Sequence, residues 1–258
     1  RDAQESRGLG DVYKRQVLGL IGFSCAIAGT CILLCRRTGA IAAAAGGLLG
    51  LIALLQFTCG SFTPDGSVNS WVDMHWLPGR LHGGVFDPEG PLCIASASAL
   101  CMGGWLAGKF LKESRLPSVR LCMAMMGAGI LLFSAARMLD GAYPIIKSMW
   151  TGTFVLAAAG ISLMLLSLFH LAVDAWNGGK WAKWAFPLRV IGVNALAAYL
   201  IHALLNVHEL NQRIFSGAAD FFPPFQPVLL AVSLLLLQWL VLLFFYRRRI
   251  SFAKSPAK

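Results

Sequence analysis

VLLAVSLLLLQWLVLLFFYRRR, residues Val228 to Arg249, decides the fold. Nineteen residues from Val228 to Tyr246 carry no charge, and three arginines follow at once. As a helix rising about 1.5 Å per residue, that run matches a hydrocarbon core about 30 Å thick. The arginines then mark where the chain leaves the lipid. Six further stretches, working back toward the N-terminus, meet the same test: Pro187–Leu205, Trp150–Val173, Arg120–Leu139, Pro91–Leu111, Ala40–Phe57 and Val17–Leu34. Arg120 and Arg137 bound the fourth span in chain order and can extend their charges outward from its ends. The sequence therefore predicts an all-α, polytopic transmembrane bundle of seven spans.

Composition excludes the alternatives. Of 258 residues, 57% are hydrophobic and 13% charged, with a mean hydropathy of +0.66. Soluble domains carry about 25% charged residues, so this chain could not cover a water-facing surface. A cytosolic enzyme, a disordered chain and a disulfide-rich secreted domain are ruled out. Seven cysteines lie in or beside apolar runs with no Cys-x-x-Cys, which reads as small hydrophobes rather than a disulfide framework.

Residues 1–16, RDAQESRGLGDVYKRQ, hold four basic and three acidic residues and end abruptly at Val17. They lack the features of a signal peptide, and the run from Asp11 to Gln16 resembles a translated library adapter. They are expected to be a non-native leader, with a native N-terminal portion missing upstream. Past the leader, 18 basic and 9 acidic residues remain.

Charge then sets orientation. Seven spans place fourteen of the remaining basic residues, from Arg36 to Lys258, on the side that holds the C-terminus. Arg80, Arg137, Lys147 and Arg213 fall opposite. Lys and Arg concentrate in cytoplasmic loops, so the expected N-terminus is outside and the C-terminus cytoplasmic. The net charge of +10 states orientation, not affinity for nucleic acid. Seven of the nine acids, Asp65, Asp73, Asp87, Glu89, Asp140, Glu209 and Asp220, fall on the outer side. Gly46/Gly50 and Gly104/Gly108, spaced four apart, predict close helix packing and leave room for a homo-oligomer.

Several polar residues could carry chemistry. Asp87-Pro88-Glu89 is expected to open the third span as an N-cap, first-position proline and first-turn acid. The same carboxylates could instead face a polar outer pocket, accepting hydrogen bonds from sugar hydroxyls or holding a general base. His75 and His82 share the outer connection with Asp73, but the set lacks the spacing of a metal site, so solvated histidines and no metal are expected. Asn194 and His202 lie within the sixth span, eight residues apart, about 80° around a helix and about 12 Å along it. They either bond between helices or line the bundle interior. Lys147 precedes the fifth span beside Trp150, as an interfacial anchor would. WNGGKWAKW, Trp176 to Trp184, mixes tryptophans with Lys180 and Lys183; it fits an interfacial belt or a contribution to binding a phosphorylated cytoplasmic ligand.

Three segments in order resemble one family. They are VFDPEGPLCIASASALCMGGWLAGKFL (Val85 to Leu111), YPIIKSMWTGTFVLAAAG (Tyr143 to Gly160) and FPLRVIGVNALAAYLIH (Phe186 to His202). The chain is similar to the C-terminal portion of the transmembrane acyltransferases typified by heparan-α-glucosaminide N-acetyltransferase and its bacterial relatives. The resemblance implies a bacterial inner-membrane protein that moves acetyl from cytoplasmic acetyl-CoA to an amino sugar on the far side. It further implies substrate contacts at Asp87, Glu89, Lys147, Asn194 and His202; with acetyl-CoA as the phosphorylated cytoplasmic ligand, Lys180 and Lys183 are the expected cofactor contacts. The family's acetyl-handling histidine belongs to a His-Ala-x-Trp-x-Gly segment absent from this sequence, so the fragment alone is expected to be inactive. Membrane lipid and an amino sugar are the expected partners. A sugar or amino-sugar permease, with the same polar groups lining a path, is the alternative.

Overall fold

A computed structural model describes residues 17–35, 37–77, 81, 85–175, 184–204, 207–219 and 223–248, without the side chains of 202–204, 218 and 219. All regular structure among these residues is helical. The chain divides into two compact units, up to Ala172 and from Val173 onward.

The first unit contains α1 (Val17–Leu34), α2 (Thr38–Thr58), the short α3 (Val68–Trp76), α4 (Pro91–Glu113), α5 (Ser118–Leu139) and α6 (Gly152–His170). A π-helical turn, Leu171–Ala175, continues α6 across the unit boundary. α4 packs against α1 and α2, and α5 against α6. Ala28 of α1, Ile41 and Ala45 of α2, and Ala99 and Met102 of α4 form the main apolar cluster. A smaller cluster joins Leu20 to Cys93 and Ala97 beneath Trp150. Ser24 Oγ donates to the Ile94 carbonyl across the α1–α4 seam at 3.2 Å.

Among the described glycines, the close helix-to-helix approach is between α5 and α6, at a pair the spacing rule did not select. A Cβ on Gly160 would lie 2.7 Å from the Gly129 carbonyl oxygen, and one on Gly129 would lie 2.8 Å from the Gly160 carbonyl oxygen. Ser167 Oγ ties the same helices by donating to the Cys122 carbonyl at 2.7 Å. The expected close contacts at Gly46/Gly50 and Gly104/Gly108 do not form among the described residues: no atom outside the helix's own adjacent backbone lies within 4 Å of a Cβ built there. Spacing of four aligns small residues along one helix face, but it does not say whether that face meets protein.

The second unit contains α7 (Phe186–Val193), α8 (Ala195–Leu204), α9 (Val207–Ala219), one 3₁₀ turn at Pro223–Phe225, and α10 (Gln226–Arg247). Val190, Ala197, Ile201, Val207 and Leu242 form its core. Buried Asn211 of α9 is held by α10: its Nδ2 donates to the Leu230 carbonyl at 2.9 Å and its Oδ1 accepts from Ser233 Oγ at 2.9 Å.

Among the described residues, six helices are long and apolar enough to cross a membrane: Val17–Leu34, Thr38–Thr58, Pro91–Glu113, Ser118–Leu139, Gly152–Ala175 and Pro223–Arg247. This is a multi-pass membrane protein. The sixth expected span, Pro187–Leu205, is instead two short helices, α7 and α8, interrupted at Asn194. Asn194 leaves helical geometry at φ −116°, and its Nδ2 donates back to the Val190 carbonyl at 3.2 Å. An asparagine side chain that competes for backbone carbonyls in this way interrupts a helix that hydropathy alone would continue.

Candidate functional site

The polar groups of the first unit gather at one end, where the connection from α2 to α4 meets the loop from α5 to α6. α3 is the part of this rim that sequence reasoning missed, because residues 58–90 read as one long connection. Ser67 caps α3, its Oγ accepting from Ser70 N at 3.1 Å. The helix is then amphipathic in the inverted sense: Asn69, Ser70 and Asp73 are buried, while Trp71, Met74 and Trp76 are exposed, Trp76 to 72%. That polarity suits a short helix at the edge of a bilayer, where aromatic rings favour the interface.

Asn69 joins three elements. Its Oδ1 accepts from Gln56 Nε2 of α2 at 3.0 Å, and its Nδ2 lies 3.2 Å from the Met149 carbonyl and 3.4 Å from Cys93 Sγ of α4. Gln56 Nε2 also donates to the Met149 carbonyl at 3.2 Å. Tyr143 donates its hydroxyl proton to Gln56 Oε1 and accepts from Gly152 N at 2.8 Å. Burial raises the Tyr143 hydroxyl above its ordinary pKa, with the Gly152 amide opposing. Thr151 completes the loop, its Oγ1 donating to the Pro144 carbonyl at 2.9 Å and accepting from Ile146 N at 3.1 Å. Trp150 carries φ of +49°, the left-handed region that costs a bulky residue about 1 kcal/mol or more. Bonds on both sides of Trp150, and its ring against Phe154, hold it there.

Beside this network sit three carboxyl groups. Asp73 Oδ2 accepts from the Asp87 amide at 2.9 Å, and Asp87 Oδ1 accepts from the Glu89 amide at 3.1 Å. The Asp87 carbonyl accepts from Gly90 N at 2.9 Å. Asp87-Pro88-Glu89 is thus a side-chain-closed turn before α4, not the first turn of the helix. Gly90 is the N-cap and Pro91 takes the first helical position. Asp73 and Asp87 are each 1% exposed, and Glu89 is half-buried. Among the described residues, Asp73 Oδ1, Asp87 Oδ2 and Glu89 Oε2 have no hydrogen-bond partner. Burial first, and the neighbouring Asp87 charge with it, pushes Asp73 up to about 6 against the opposing Asp87 amide. The same two causes push Glu89 up to about 7.

The structure therefore unites Asp87 and Glu89 and adds Asp73 to them. Lys147 lies exposed in the adjoining loop, two residues before the Met149 carbonyl that Asn69 and Gln56 share. Asn194 belongs to the second unit, 3% exposed with Oδ1 unpartnered. His202 lies in α8, but its side chain is outside the described residues, as are Lys180, Lys183 and His82. His75 is on α3, not in a loop; its ring stacks on Trp71 at 4.6 Å. Among the described residues no group of three or more His, Cys, Asp and Glu has the arrangement to hold a metal ion. Comparison with known proteins finds no matching family, curated protein or solved structure.

Proposed function

We propose that this chain is the C-terminal portion of a bacterial inner-membrane acyltransferase-like protein. The parent protein would transfer acetyl from cytoplasmic acetyl-CoA to an amino sugar on the opposite side. The supporting observation is the rim itself. Two of the three segments that resemble the family, Val85–Leu111 and Tyr143–Gly160, meet there around buried polar groups, through Cys93 Sγ and the Ser148 carbonyl at 3.7 Å.

In this reading α7 and α8 together make a seventh, interrupted span, and the basic-residue excess places the C-terminus in the cytoplasm. The rim then faces outward, where Asp87, Glu89 and Lys147 bind the sugar. By the resemblance, Asn194 and His202 would contact the substrate, and Lys180 and Lys183 would bind the phosphates of acetyl-CoA on the cytoplasmic side. The sugar amine displaces the CoA thiolate from the acetyl carbonyl carbon and loses a proton to a base. With no His-Ala-x-Trp-x-Gly segment in this sequence, the chain alone is expected to bind and not to turn over.

The test is labelled acetyl transfer from acetyl-CoA to glucosamine in vesicles holding the full-length parent. Transfer, together with acetyl-CoA binding that weakens in Lys180→Ala/Lys183→Ala, supports the reading. Absence of both transfer and binding rejects it. Uptake of labelled N-acetylglucosamine without acetyl-CoA would point to a permease.

A further inference from the structure

The three rim carboxyls pose a problem of charge. Asp73 on α3 reaches the Asp87–Gly90 turn so closely that a Cβ on Gly90 would fall 2.2 Å from Asp73 Oδ1. Its other oxygen holds the Asp87 amide, and Asp87 in turn holds the Glu89 amide. The remaining oxygen named for each residue is sealed from solvent without a donor. Buried carboxylates without donors are costly, and a neighbouring like charge adds to the cost at Asp73 and Glu89.

No cation relieves them among the described residues. The two ion pairs there, Lys109–Glu113 and Arg137–Asp140, involve none of the three. The titratable groups facing Asp73 are Asp87 and the Cys93 thiol of α4, and Glu89 faces Asp87. His75 is exposed and bonded back to Trp71. Lys147 is exposed, α1 and α2 carry no acid or base, and α6 carries only His170, at its far end. The metal arrangement is not met, and the sealed oxygens leave no surface for a water-sized ion. A proton needs no such space and turns an orphaned oxygen into a donor.

We propose that Asp73, Asp87 and Glu89 form a proton-binding site that retains at least one proton at about pH 6, where exposed carboxyls are ionised. Asp73 is its innermost member, and Glu89 is the member through which the proton exchanges with the aqueous side. The raised values of Asp73 and Glu89 agree with this arrangement. The site stands on the rim's geometry alone and is independent of the acyl-transfer reading. Its chemical consequence is that the rim presents a carboxylic acid, a hydrogen-bond donor, where the sequence suggests only carboxylate acceptors.

Infrared difference spectroscopy of the whole chain in lipid vesicles tests this directly. At about pH 6 an exposed carboxyl is ionised, so a protonated-carboxyl C=O band remaining there reports a retained proton. That band should be present and disappear with a midpoint between about 6 and 7. Asp73→Asn, which keeps an oxygen for the Asp87 amide, and Glu89→Gln should each remove part of the band with helix content unchanged. Glu113→Gln, at an exposed ion pair, should leave it whole. Glu89→Gln removes no hydrogen bond and serves if Asp73→Asn fails to fold. No protonated band at about pH 6, or one of equal size in Asp73→Asn, Asp87→Asn and Glu89→Gln, overturns the proposal.

Discussion

Gly129 and Gly160 offer the sharpest test of how the first unit is held together. An added methyl at Gly160 would sit 2.7 Å from the Gly129 carbonyl oxygen and 2.8 Å from Phe133 N; one at Gly129 would meet Met164 Cγ at 2.7 Å and the Gly160 carbonyl at 2.8 Å. Ordinary van der Waals contact begins near 3.4 Å, so α5 and α6 must part by roughly 0.6 Å for either alanine. Backbone atoms block the methyl on both sides, so a rotamer change cannot absorb the overlap. Overpacking of this kind costs about 1–3 kcal/mol. Parting the helices also strains the Ser167 to Cys122 bond. Helix propensity opposes the loss by up to about 1 kcal/mol. Gly160→Ala and Gly129→Ala should therefore lose about 1–2 kcal/mol in reversible unfolding in mixed micelles, followed by circular dichroism. The double variant should lose less than the sum, because the first substitution has already parted the helices. Gly46→Ala and Gly104→Ala, with no atom within 4 Å, should be neutral or stabilising. If all four substitutions behave alike, the crossing is not where the structure puts it.

Stability should also depend on pH in a stated direction. Asp73 and Glu89 hold protons in the folded chain above the pH at which the unfolded chain has released them. Their contribution is complete below about pH 4 and is lost as pH rises through 6 to 7. For Asp73 the loss is about 2–3 kcal/mol, and less for half-buried Glu89; micelle unfolding across that range reads it, and a flat profile contradicts it. Tyr143→Phe should cost about 1–3 kcal/mol in the same assay, because it strands Gly152 N and Gln56 Oε1 in a buried site. Tyr143→Phe as stable as the native chain would mean these groups find water. Asn194→Leu should raise helix content by circular dichroism, by joining α7 to α8; an unchanged spectrum would mean that Asn194 does not make the break.

Where lipid sets the pattern, the sequence is transparent. Leu34 ends α1 where expected, and Ala40–Phe57 and Arg120–Leu139 lie within two residues of α2 and α5, because hydrocarbon thickness fixes the length of an apolar run. The misses occur where one side chain overrides the average. Hydropathy scores Pro187–Leu205 as continuous and does not register that Asn194 bonds its own helix. α3 was hidden because nine residues with their tryptophans outward resemble neither a span nor a water-soluble helix. Its signals were present, in the Ser67 cap and in Asn69 and Asp73 spaced four apart. Asp87 and Glu89 stood out as acids beside a proline. Asp73 did not, since only the fold brings a residue 14 positions away against the same turn.

The rim is an expensive way to join helices. Met, Leu and Ala would close the same gap without desolvating a carboxyl, and buried ionic groups replaced by apolar ones often leave a protein as stable or more so. Here Gln56, Asn69, Asp73, Asp87, Thr151 and Thr153 are each almost wholly buried at one end of the bundle. A left-handed Trp150 adds strain in the loop they grip. At other crossings the same chain uses the inexpensive solution: alanine and isoleucine between α1, α2 and α4, and bare glycine between α5 and α6. Costly polar burial inside a membrane protein marks function more often than support. The contrast within one chain favours the proposed role for the rim and leaves stability to the crossings. Asp73→Asn should then alter what the rim binds or exchanges, while Gly160→Ala should weaken the fold without altering the rim's protonation.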